Sequence, residues 1–112
     1  MTDEMLQPVE GTLAPPNLVR VDKSLRPLVP RMKKLLESYV DFLRWSVRDR
    51  SVDALCATVH DLRSMARLFG LVAVVELCGR LEWAALAQLD DEAYRCIDQL
   101  AVLAHSAIFI YS

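Results

Sequence analysis

The stretch Thr58-Val59-His60-Asp61-Leu62-Arg63-Ser64-Met65-Ala66-Arg67-Leu68-Phe69-Gly70 decides how the rest of the chain is read. On a helix of about 3.6 residues per turn, Leu55, Val59, Leu62, Ala66 and Phe69 recur at three- and four-residue intervals and make one apolar face. That face is the buried one. His60 falls off this seam and lines up instead with Cys56, Arg63, Ser64 and Arg67, so an imidazole stands outward with two guanidinium groups within about two turns. Gly70 closes the segment as a left-handed helix cap or a point of close approach.

Working outward, Pro30 to Arg48 supplies Met32, Leu35, Leu36, Tyr39, Val40, Phe42, Leu43 and Val47, an apolar arc broad enough for two neighbours. The polar run Arg48-Asp49-Arg50-Ser51 ends it. Ser51 is placed to cap the His60 helix, whose first turn carries Asp53 at the positive end of the macrodipole. The next helix spans Val72 to Gln88 with a seam of Val74, Cys78, Leu81, Ala85 and Leu89. Gly79 within it costs up to about 1 kcal/mol relative to alanine, which close packing would offset. Asp90 is the expected N-cap of a last helix in which Ala93, Ile97, Leu100, Ala104, Ile108 and Tyr111 share a line.

Before these, Leu18 to Val29 reads as a short helix capped by Asp22 and stopped by Pro30. Met1 to Asn17, with Pro8, Gly11, Pro15 and Pro16, reads as a flexible tail. Strand alternation, hairpin turns and Gly-rich phosphate loops are not apparent, which argues against α/β and nucleotide-binding folds. The expectation is an all-α protein: a tail over 1–17, then a domain over 18–112. That domain is an antiparallel up-down four-helix bundle with a short additional N-terminal helix.

Composition sets the outer limits. A chain of 112 residues with 54% hydrophobic residues supports one core. Thirteen Lys and Arg against 15 Asp and Glu leave a net charge of −2, which gives no global reason to expect nucleic acid as a partner. Cys56, Cys78 and Cys96 lack metal-ligand spacing and read as reduced thiols, and no metal site is expected. The N-terminus has no secretory pattern, and Leu100 to Ile110 is too short to span a membrane. A cytoplasmic protein without a membrane segment is expected. His105, in an apolar helix, reads as a packing residue, and Trp45 and Trp83 as residues at the core's edge.

The spacing His-x-Leu-Arg-Ser-x-Ala-x-x-x-Gly from His60 to Gly70 resembles the signature of histidine phosphotransfer domains, His-x-Leu-Lys-Gly-x-Ala/Ser-x-x-x-Gly. Leu77-Cys78-Gly79-Arg80-Leu81-Glu82-Trp83-Ala84-Ala85 is similar to the family's next helix, which commonly ends Leu-Glu-x-Ala. The chain departs at two positions, with Arg63 for the family's lysine and Ser64 for its glycine.

This resemblance implies a phosphocarrier of a two-component phosphorelay rather than a turnover enzyme. His60 would accept a phosphoryl group from a receiver-domain aspartate and pass it to another receiver. A neutral imidazole suits this, since a histidine of ordinary pKa near 6.5 is mostly deprotonated at pH 7. Arg63 and Arg67 would stabilise the phosphoryl oxygens, and Cys56 and Ser64 would line the docking surface, where Ser64 must be small. Partners would be a receiver domain or a hybrid histidine kinase. The chain needs no cofactor of its own, and Mg²⁺ would come with the receiver. Two other readings stand beside it: a docking module that binds a receiver or kinase without efficient transfer, and a homodimer formed through the apolar C-terminal helix.

Overall fold

A computed structural model of the protein describes residues 18–112, so the expected tail over 1–17 lies outside the described residues. Four helices make the body: α1 (Val29–Arg48), α2 (Val52–Phe69), α3 (Val72–Leu86) and α4 (Asp90–Ser106). Each packs on the next, and α1 also packs on α4, so the up-down bundle closes into a ring. The core is the sum of the inward stripes: Met32, Leu36, Val40 and Leu43 of α1; Leu55, Val59, Leu62, Ala66 and Phe69 of α2; Val74, Leu77, Cys78, Leu81 and Ala84 of α3; Cys96, Ile97, Leu100 and Leu103 of α4. All five seam residues of the His60 helix are buried as expected. In α3 the buried line is rotated from the expected one, taking in Leu77 and Ala84 while Leu89 is exposed.

The two ends of the described chain differ from the helices expected there. Leu18–Val21 is a strand, β1, rather than the start of a helix, and α4 stops at Ser106 so that Ile108–Tyr111 forms a second strand, β2. The strands pair in parallel, Leu18 opposite Ile108 through Val21 opposite Tyr111, and bonds from Lys23 N to Ser112 O (3.1 Å) and Ser112 N to Val21 O (3.2 Å) extend the pairing. The physical reason lies in composition and distance. Ile-Phe-Ile-Tyr is β-branched and aromatic, and its extended backbone needs a hydrogen-bonding partner that only the far end of the chain supplies. Ile108 and Tyr111, expected on the last helix, therefore lie on this strand, so that of the apolar stretch Leu100 to Ile110 the part up to Ser106 remains on α4.

The short helix that follows β1 is 3-10, over Lys23–Leu28, with Pro27 inside it. Asp22 does cap it, accepting from Ser24 N at 2.8 Å. Arg26 sits over the Tyr111 ring at 4.9 Å and Lys33 over the Phe109 ring at 5.8 Å, fastening β2 to the 3-10 helix and to the start of α1.

The three interhelical turns share one design. After α2, Gly70 has φ 71° and the Leu71 N–H returns to Ala66 O at 2.8 Å. After α1, Arg50 has φ 55° and Ser51 N returns to Ser46 O; after α3, Gln88 has φ 61° and Leu89 N returns to Ala84 O. Each is a left-handed C-terminal cap, and only one carries the glycine that makes such a cap visible in a sequence. Leu89 rather than Asp90 takes the N-cap position of α4, and Asp90 instead faces Arg50 of the other turn at 3.7 Å. Ser51 holds its N-cap position without a side-chain bond.

A left-handed non-glycine residue costs about 1–2 kcal/mol, of which glycine's greater unfolded freedom returns part. Gln88→Gly is accordingly expected to raise the unfolding free energy by about 0.5–1 kcal/mol in urea titration, against a loss of similar size for glycine at an ordinary helical position.

Gly79 lies in open space rather than at the close contact expected for it. A Cβ there would meet nothing within 4 Å among the described residues, so close packing against them does not account for the glycine.

Candidate functional site

His60 lies near the middle of α2, one residue past the buried Val59 and two before the buried Leu62. Val59 and Leu62 are fully enclosed while His60 and Asp61 between them are exposed, because each step of one residue turns the side chain through about 100°. Among the described residues, the imidazole takes part in no side-chain hydrogen bond or ion pair. The ring therefore stands in solvent on a helix whose opposite face is anchored across the bundle.

Arg63 takes a course the sequence did not disclose. Its side chain is only 21% exposed, and its Nη2 donates to Glu82 Oε1 of α3 at 3.0 Å. The two segments that carry the family resemblance are thus tied directly to each other. One bond to Glu82 leaves the rest of the guanidinium's five N–H donors outside this ion pair. Glu82 is the residue of the site that residue-by-residue reading missed. Its one signal was its place in the Leu-Glu-x-Ala segment, since the helical pattern of α3 puts it merely off the seam.

Ser64 Oγ donates to the His60 carbonyl at 3.1 Å. That carbonyl already accepts the helix's own bond from one turn on, so the hydroxyl is folded back along α2 and adds little bulk beside the ring. Arg67 is exposed and makes no side-chain hydrogen bond or ion pair among the described residues. Cys56 is half-buried against the core, which makes it a rim residue rather than an open flank of the imidazole. Burial raises its thiol pKa first, with Glu82 and Asp53 adding to the rise. Cys78 lies beneath, its thiol pushed up to about 11 by burial, while Arg63 and Arg67 pull it down and Glu82 pushes it further up. These three charges and the imidazole of His60 thus belong to the two facing helices, α2 and α3.

The Hpt domain family profile matches residues 23–106, from the 3-10 helix to the last residue of α4. The chain belongs to the Hpt domain family. Hpt domains are helical-bundle phosphocarriers that work with receiver domains and histidine kinases, so the chain is a phosphotransfer module of two-component signalling. Comparison with curated proteins and with solved structures finds no match. The match stops short of β2 and takes in neither strand of the pair, so that the strands are an addition to the matched Hpt domain.

Other expected features of the Hpt domain fall differently. His105 is exposed rather than packed, its Nδ1 lying 3.9 Å from Glu37 Oε2 of α1. Trp83 is 59% exposed and Trp45 39%, the latter tilted against Phe42 with ring centroids 5.2 Å apart, so both reach further into solvent than core-edge residues. Among the described residues no group of three His, Cys, Asp or Glu side chains is arranged to hold a metal. No helix among them is long and apolar enough to cross a membrane.

Proposed function

We propose that His60 is the phosphoacceptor and that the domain takes a phosphoryl group from a receiver aspartate and hands it to another receiver. The observation that carries the reading is the imidazole itself: exposed, without a bond to any described side chain, and set on a helix whose seam is buried on either side of it. Nε2, with its proton held on Nδ1, attacks phosphorus in line. The P–O bond to the receiver's aspartate breaks as the N–P bond forms, and the return transfer reverses these roles. Positioning and charge stabilisation do most of the work in such a step. Mg²⁺ belongs to the receiver and would neutralise charge on the phosphoryl oxygens there.

Arg63 and Arg67 serve as the domain's own cations. Arg63 sits on the side of α2 that faces α3, and Arg67 is one turn further along, exposed. Cys56 and Ser64 border the surface a receiver would cover. The chain would work as a carrier in the cytoplasm, where its partners are receiver domains or a hybrid histidine kinase.

A docking module without efficient transfer is the second reading, and Ser64, a side chain one turn from the imidazole where the resembled signature has glycine, is the observation in its favour. Ser64→Gly separates the two. With the serine hydroxyl folded back on the helix, the carrier reading expects the transfer rate from a phosphorylated receiver to change by less than about threefold, under 1 kcal/mol of barrier. An acceleration well beyond tenfold would mean that the serine obstructs transfer and that the natural chain is built to dock. The direct test is to mix the protein with a phosphorylated receiver and look for acid-labile, base-stable phosphate on it.

A further inference from the structure

We propose that Glu82 is a positioning residue that competes with the phosphoryl group for Arg63, so that the phosphohistidine is held loosely and passes on readily. The inference rests on the reading of His60 as acceptor and adds a role for a residue of the facing helix.

Its basis is one contact and its surroundings. Glu82 Oε1 accepts from Arg63 Nη2 at 3.0 Å across the α2–α3 groove, with the guanidinium side chain 21% and the carboxylate side chain 37% exposed. The pair is the less exposed kind: Arg44–Asp98, by contrast, has side chains 44% and 69% exposed. A half-buried ion pair is screened less by salt and water than an exposed one. Arg63 stands three residues after His60 on the same helix, which puts its stem within one turn of the ring. A phosphoryl group on His60 would thus be a second anion within reach of a cation that already has one.

No other described carboxylate bonds to Arg63, and Glu82 bonds to no other described cation. The competition is therefore between two anions for one guanidinium. While His60 is unmodified, Glu82 holds the arginine in the groove. Once N–P bond formation puts a dianion beside it, the guanidinium is shared. Arg63 then contributes less to holding the phosphoryl group than a free arginine would, and the return of Arg63 to Glu82 favours departure of the group to a receiver carboxylate.

The test uses phosphoramidate as a small-molecule donor, which phosphorylates imidazoles by losing ammonia as the new N–P bond forms. The ³¹P signal of phosphorylated His60, assigned by its absence from His60→Gln, is titrated between pH 5.5 and 9. A cation beside the phosphoryl group lowers its proton affinity. Freeing Arg63 by Glu82→Gln is expected to lower that affinity by about fivefold, the equivalent of one partly exposed ion pair. In an Arg63→Met background the same Glu82 change is expected to fall below about twofold, since only direct repulsion remains.

A Glu82→Gln effect of equal size with and without Arg63, or no effect, overturns the competition. So does a raised proton affinity, which would mean that Glu82 aims Arg63 at the phosphoryl group. Failure of a phosphorylated receiver to label His60 overturns the acceptor reading instead, and the phosphoramidate comparison stands apart from that result. Absence of label at His60 from phosphoramidate overturns both.

Discussion

Leu62→Ala is expected to lower the unfolding free energy by about 3–5 kcal/mol, a large share of the roughly 5–15 kcal/mol that holds a domain of this size. Leu62 is fully enclosed, and along α2 it lies between Val59 and Ala66, both equally buried. Removing three side-chain carbons there forfeits their transfer from water. It also leaves a void that the surrounding Leu, Val and Ile side chains fill only in part. Leu68, six residues on and 63% exposed, is the matched comparison. Leu68→Ala is expected to move stability by less than about 0.5 kcal/mol. Urea titration of both variants checks the pair, and a Leu62→Ala loss below about 1 kcal/mol would mean that α2 is not anchored through this seam. The consequence reaches the site, because the rigidity of the seam is what fixes where the imidazole stands.

His60→Gln is expected to remove receiver-dependent phosphorylation completely while leaving stability and helicity as they are. Glutamine keeps a polar, exposed side chain with good helix propensity, so the fold loses nothing that the histidine supplied. What it lacks is a nitrogen lone pair basic enough to attack phosphorus. The chain's other histidine offers a control in the same molecule. His105 is also exposed, at the end of α4 beside Glu37. It has no arginine pair one and two turns along its own helix. His105→Gln is expected to leave the phosphate level unchanged within about twofold, less than 0.5 kcal/mol in transfer.

The sequence disclosed the helical layer well because its signals are repetitive. Leu55, Val59, Leu62, Ala66 and Phe69 state the same rotation five times over, and one uncertain position cannot displace it. Gly70 was legible as a left-handed cap because glycine has a chemical reason to be there. Arg50 and Gln88 adopt the same backbone conformation without such a reason, so two of the three equivalent turns were invisible. The strand pair was missed for a different cause. Four residues are too few to set alternation against helical periodicity, and β2 exists only because β1, some ninety positions earlier, supplies its hydrogen bonds.

At the site, the outward position of His60 followed directly from the rotation of α2. The pairing of Arg63 with Glu82 did not, since it depends on how α2 and α3 are set against one another across 19 residues. The folding back of Ser64 was equally hidden, because a serine hydroxyl chooses between solvent and its own helix by rotamer alone.

A single labelling experiment tests the role of His60 most directly. The full chain is mixed with a receiver domain carrying ³²P on its aspartate with Mg²⁺ present, alongside His60→Gln and His105→Gln, and the label is mapped by its acid lability and base stability. The predicted result is phosphate on the natural chain and on His105→Gln, with none on His60→Gln. Label that persists in His60→Gln, or a natural chain that binds the phosphorylated receiver and takes no phosphate from it, would contradict the reading of His60 as the phosphoacceptor.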